Sequence, residues 1–164
     1  EQQVQQYVVL APTSRWLSKQ WPIERYTEVA KHLISKGCTV VVVGAPSESG
    51  QVETLCAHEG VINLLPKMTV GHLLAVIESS RLVIANDSAA LHIAVGFSRP
   101  CIGLFGPTDP EKVGPYMQDD AVLRSDVDYE RVHFKDRSLG QQFMEQIEVD
   151  EVLDKIDDLI GTKS

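Results

Sequence analysis

Lysine, aspartate, glutamate and histidine can all meet a phosphate or a sugar, and here they stand in or just beyond loops that follow short apolar runs. Lys19 closes the loop Pro12-Thr13-Ser14-Arg15-Trp16-Leu17-Ser18-Lys19. Hydroxyls at Thr13, Ser14 and Ser18 can donate to phosphate oxygens while the ammonium supplies charge. A solvated loop lysine is the plain alternative. Asp87 leads Asp87-Ser88-Ala89-Ala90 out of the apolar run Leu82-Val83-Ile84-Ala85. It can cap the helix that begins near Ser88, and the backbone N–H groups of Ser88, Ala89 and Ala90 are open to an anion that small side chains let approach.

His92 lies four residues after Ser88, on the same helical face and one turn deeper. It reads either as a partly buried structural histidine or as a donor to that anion. Glu48, after Gly44-Ala45-Pro46-Ser47, either begins a helix favourably or accepts two hydrogen bonds from a ribose diol. Met68 is core by default, although a thioether also suits the face of a base. A fourth unusual loop runs Phe105-Gly106-Pro107-Thr108-Asp109-Pro110.

The elements that must position these residues alternate. Apolar runs at Tyr7–Ala11, Thr39–Val43, Val61–Leu64, Leu82–Ala85 and Pro100–Leu104 read as strands, with Val122–Arg124 as a further one. Between them helical spacing covers Glu24 to Lys36, Glu48 to His58, Thr69 to Ser79 with Thr69 as N-cap, and Ser88 to Val95. Val149 to Ile160 is an amphipathic terminal helix, and residues 126–145 carry no clear pattern. Such alternation argues α/β architecture, a parallel sheet with helices on both faces, whose right-handed crossovers bring all strand C-terminal ends to one edge. All four loops then converge on one cleft.

The chain has 164 residues, one domain's worth, with a core over 1–125 and an acidic tail over 126–164. The tail holds 11 acidic and 5 basic residues, so it carries −6 of the net −8. That balance argues against a nucleic-acid partner. No run is long and apolar enough to span a bilayer, and the polar start Glu1-Gln2-Gln3 is unlike a signal peptide. The missing initiator Met suggests a piece of a longer protein. Cys38, Cys56 and Cys101 fit no metal spacing and read as buried, reduced thiols of a cytoplasmic protein. Walker-type phosphate loops, nucleophile elbows and paired-histidine metal sites are all missing from the sequence.

Five stretches in this order, PTSRWLSKQWPIERY, GAPSE, LPKMT, ANDSAALHIA and LFGPTDPEKVGPY, resemble the C-terminal half of the bacterial lipopolysaccharide heptosyltransferases, glycosyltransferase family 9. The likeness runs from about Tyr7 to Tyr116. It implies the GT-B architecture, two Rossmann-like domains across a cleft, of which this chain would be the donor-binding one. The resemblance puts Thr13, Ser14 and Lys19 on the diphosphate of an ADP-sugar, Glu48 on the ribose and Met68 on the adenine. Asp87 would take a sugar hydroxyl, with Ser88, Ala89 and His92 near the phosphates. Relatives commonly carry Gly where Ala89 stands, a difference that bears on close backbone approach.

The resemblance further implies an inverting transfer that needs neither metal nor cofactor, with Lys19 stabilising the leaving group. Acceptor site (the lipopolysaccharide core) and general base belong to an N-terminal domain absent from this chain. The fragment alone is thus expected to bind donor without transferring sugar, and any contact of the intact enzyme with the inner membrane to run through the other half. Two other readings stand beside this one: a non-catalytic nucleotide-binding module, and a sugar-nucleotide epimerase-like domain.

Overall fold

The computed structural model describes residues 7–116, 119–130, 132 and 135–161. The polar start and parts of 126–145 named above lie outside them. Six parallel strands form one sheet: β1 (Tyr7–Ala11), β2 (Thr39–Val42), β3 (Val61–Asn63), β4 (Leu82–Asn86), β5 (Cys101–Phe105) and β6 (Val122–Arg124), in the order β3-β2-β1-β4-β5-β6. Seven helices are described: α1 (Ile23–Ser35), α2 (Glu53–Cys56), α3 (Val70–Glu78), α4 (Ala89–Gly96), α5 (Pro110–Val113), α6 (Arg137–Met144) and α7 (Val149–Ile160). This is the doubly wound arrangement expected from the alternation.

The central strands are apolar on both sides because both sides are covered. Val8, Leu10, Val40, Val42, Leu82 and Ile84 face one way, against Tyr26, Val29 and Leu33 of α1, Leu55 of α2 and Val152 and Ile156 of α7. Val9, Ala11, Val41, Val83 and Ala85 face the other, against Ile77 of α3 and Leu91 and Ala94 of α4. The two-residue period of a strand sorts alternate residues into two cores. At about 25 cal/mol per Å² of apolar surface, this double burial dominates the driving force for folding.

Two elements differ from expectation. The helix read over Glu48 to His58 is a run of 3-10 turns over Pro46–Val52 that becomes regular only in α2. Side chains compete with the helical ladder there: Ser49 Oγ donates to the Pro46 carbonyl, and Glu48 Oε2 accepts the Ala45 N–H. The unpatterned segment 126–145 contains α6, N-capped by Asp136, whose carboxylate accepts the Ser138 and Leu139 N–H groups. Met144 and Ile147 behind it are buried with β1, β4 and β5, so the acidic C-terminal stretch contributes to the main core. Among the described residues no helix is long and apolar enough to cross a membrane.

Candidate functional site

The strand order reverses direction at the pair β1 and β4, where Ala11 is registered with Ala85. At such a switch point successive crossovers leave in opposite directions and open a crevice beyond the strand ends. The loops that leave β1 and β4 carry Thr13, Ser14 and Lys19 on one side, Asp87 and Ser88 on the other.

Asn86 ties the two loops together. It is fully buried at the end of β4, and Nδ2 donates to the Pro12 carbonyl at 2.8 Å. Its Oδ1 accepts from the Trp21 N–H and the Tyr26 hydroxyl, each at 3.1 Å. Burial pushes the Tyr26 phenol well above its ordinary range, so it stays a neutral donor. Beyond Lys19, the Trp21 indole N–H reaches the Ile147 carbonyl at 2.9 Å, anchoring the loop to the turn after α6. Gly140 of α6 packs directly on Ser18, the residue before Lys19, with no room for a Cβ.

Lys19 ends a 3-10 turn over Leu17–Lys19 and directs its ammonium to Asp87, Nζ to Oδ2 at 2.6 Å. The same oxygen accepts from Thr108 Oγ1 at 3.1 Å, while His92 Nε2 lies 4.0 Å from Oδ1. Only 9% of the Asp87 side chain and 16% of the Lys19 side chain are exposed. The two residues that had to share one edge of the sheet are in contact.

Next to this cluster lies a mostly apolar cleft of about 320 Å³, lined by Thr13, Ser14, Glu48, Met68, Ser88 and Ala89 together with Pro46, Val70 and Leu73. Gly44 is required in its floor, because a Cβ there would stand 2.5 Å from Thr13 Oγ1. Thr13 Oγ1 and Ser88 Oγ are buried without a hydrogen-bond partner among the described residues. A buried hydroxyl without a partner is unfavourable by about 1–3 kcal/mol, and two of them belong to residues that line this one cleft. A larger recess of about 440 Å³, between Pro110, Glu111, Val122 and Arg124, holds none of the expected residues.

Several expectations need correction. Asp87 is not the cap of α4: the N-cap is Ser88, with no side-chain cap bond, because the Asp87 carboxylate is turned to Lys19 and Thr108. Among the described residues the first N–H groups of α4 therefore have no side-chain cap. His92 is half exposed, with Nε2 4.0 Å from Asp87 Oδ1, which is compatible with both readings of it. Glu48 accepts the Ala45 N–H with one carboxylate oxygen at the start of the 3-10 run and also lines the cleft. Met68 is 9% exposed and serves core and cleft together. Cys56 is only half-buried, whereas Cys38 and Cys101 are buried, and burial pushes the Cys101 thiol up to about 11.

Sequence reasoning left Thr108 and Asn86 without roles. Asn86 carried a signal all the same: an amide closing an otherwise apolar strand must be buried with partners. Among the described residues no three His, Cys, Asp or Glu side chains group as metal ligands.

Residues 1–141 match the family described as glycosyltransferase family 9 (heptosyltransferase). The chain belongs to this family. Among curated relatives, lipopolysaccharide heptosyltransferase 2 of Salmonella typhimurium is 29% identical over 152 residues, which are 88% of this chain and 43% of the relative. Lipopolysaccharide heptosyltransferase 3 of Escherichia coli is 29% identical over 166 residues, 98% of this chain and 48% of that one. The chain thus spans less than half the length of these relatives.

Solved structures agree on the fold. The E. coli heptosyltransferase WaaC with ADP superposes with a TM-score of 0.78 at 24% identity, over 97% of this chain and 46% of that one. A family 9 glycosyl transferase from Veillonella parvula gives 0.84 at 22%, over 99% and 48%. This family 9 chain therefore has the Rossmann-like fold of one half of a GT-B glycosyltransferase.

Proposed function

We propose that this chain is the C-terminal, donor-binding domain of a heptosyltransferase, and that it holds an ADP-heptose-type donor for transfer to a lipopolysaccharide core. The observation that carries the reading is the cleft at the β1/β4 switch point. Its two unpartnered hydroxyls stand beside a lysine and the uncapped start of α4. Those are the donors a diphosphate needs. WaaC has been solved with ADP and with ADP-2-deoxy-2-fluoro heptose, which supports adenine as the base.

In this reading Thr13, Ser14, Lys19 and the Ser88 and Ala89 N–H groups hold the diphosphate. Glu48 takes the ribose through its remaining oxygen, the base rests against Met68, and Asp87 accepts a sugar hydroxyl. Transfer is a displacement at the anomeric carbon with inversion. The acceptor oxygen forms the new C–O bond as the bond to the β-phosphate oxygen breaks, and the electron pair leaves with ADP. The acceptor proton passes to a base in the half outside this chain. Charge building on ADP falls to Lys19, His92 and the α4 N-terminus rather than to a metal ion. The whole enzyme acts on the cytoplasmic side, at the inner membrane through its other half.

Titration calorimetry of the chain with ADP, UDP and GDP tests this. ADP is expected to bind best, and Lys19→Ala to weaken it by about 1.5–3 kcal/mol, as for a lost charged hydrogen bond. Preference for UDP, or ADP binding indifferent to Lys19→Ala, overturns the assignment.

A further inference from the structure

Lys19 and Asp87 are bonded to one another, yet a phosphate needs the ammonium and a sugar hydroxyl needs the carboxylate. Lys19 Nζ and Asp87 Oδ2 stand 2.6 Å apart, with both side chains largely buried. A carboxylate at 9% exposure that loses its ammonium is left short of partners, which is strongly unfavourable unless other donors remain. One does: Thr108 Oγ1, from the loop after β5, donates to Oδ2 itself at 3.1 Å, while His92 Nε2, 4.0 Å from Oδ1, is beyond hydrogen-bond distance. Thr108 does not depend on Lys19 for its place, because it arrives from a different strand. An approaching diphosphate meets the uncapped first turn of α4, one residue from Asp87, and competes for the ammonium.

We propose that donor binding is a partner exchange. The diphosphate draws Lys19 away from Asp87, and Thr108 holds the vacated carboxylate in place to receive the donor's sugar hydroxyl. Asp87 is therefore a competitor of the phosphates in the empty site and a ligand for the sugar in the filled one. Thr108 is a positioning residue that acts through Asp87. This rests on the donor reading above and goes beyond it, since it makes ADP, which carries no sugar, bind against Asp87.

The test is a cycle of ADP affinities for the chain, its Asp87→Asn and Lys19→Ala variants and the double variant, with adenosine as the phosphate-free control. Asp87→Asn is expected to tighten ADP roughly threefold to thirtyfold while Lys19 is present, the range between an exposed and a half-buried ion pair. In the Lys19→Ala background the gain should shrink to what removal of simple repulsion gives, and adenosine should be unaffected throughout. Thr108→Val is expected to weaken ADP about threefold to tenfold without moving adenosine, and Thr108→Ser to restore it. An equal effect of Asp87→Asn in both backgrounds, or weaker ADP binding by Asp87→Asn, overturns the exchange while the donor reading stands. A Thr108→Val loss that adenosine shares, or that Thr108→Ser leaves in place, overturns the role given to Thr108. If the unaltered chain binds no ADP, the donor reading itself fails and takes the exchange with it.

Discussion

Gly140→Ala sets local propensity against packing, and the structure says which wins. Alanine in a helix is favoured over glycine by about 1 kcal/mol, so propensity alone predicts a more stable protein. A Cβ at 140 would stand 2.7 Å from the Ser18 carbonyl oxygen and 2.9 Å from Ser18 Cα, and closer still to Ser18 Cβ, where ordinary contact begins at 3.4 Å. Backbone must retreat by about 0.7 Å or more, and overpacking of this kind costs about 1–3 kcal/mol. The net loss is about 0–2 kcal/mol, toward the upper end because two of the three atoms met are backbone, which for a chain of this length lowers Tm by up to about 8 °C. Because Ser18 adjoins Lys19, the retreat should also carry Lys19 away from where it meets the diphosphate, and ADP affinity should fall. Circular-dichroism melting and calorimetry with ADP read both effects. Gly96→Ala is the control: its Cβ would meet nothing within 4 Å, so its Tm should hold or rise. A Gly140→Ala protein that melts at or above the parent temperature and binds ADP normally refutes the reasoning.

Thr13→Val removes a hydroxyl without a partner among the described residues, so it should raise stability by about 0.5–2 kcal/mol while it weakens ADP; denaturant melts and titrations should show opposite signs. Asn86→Ala strands the Trp21 N–H, the Tyr26 hydroxyl and the Pro12 carbonyl, and urea unfolding should register a loss of about 3–5 kcal/mol. Asp157 of α7 accepts from Lys36 Nζ and His32 Nε2, each at 2.9 Å, and these bonds, Lys36's first, hold its carboxyl below the ordinary 3.8. A lowered folded value contributes stability above the ordinary one and loses it as pH falls through the lowered one. Asp157→Asn should therefore cost less than about 1 kcal/mol near neutrality, given its exposure, with the difference vanishing in acid; stability against pH for both proteins checks it.

The sequence alone was enough for the alternation of strands and helices, the convergence of loops at the strand ends and most of the cleft-lining residues. Those properties are local. A β-branched apolar run makes a strand covered on both faces wherever it is placed, and right-handed crossovers then send every loop to one edge. Partner choice was not legible. Whether Asp87 caps α4 or holds Lys19 depends on which distant group arrives first, and the group that arrives is 68 residues away in the chain. Glu48 was ambiguous for a local reason, since the N–H three residues before it competes with any ligand for the carboxylate. The segment around Gly140 is polar enough to hide its short amphipathic helix, and nothing along the chain shows that Gly140 leaves space for Ser18. Propensity and periodicity act along the chain and so can be read from it. The ion pair at the switch point and the close approach of α6 are contacts between remote segments, and only folding, by bringing those segments within reach, decides which of the available partners each side chain takes.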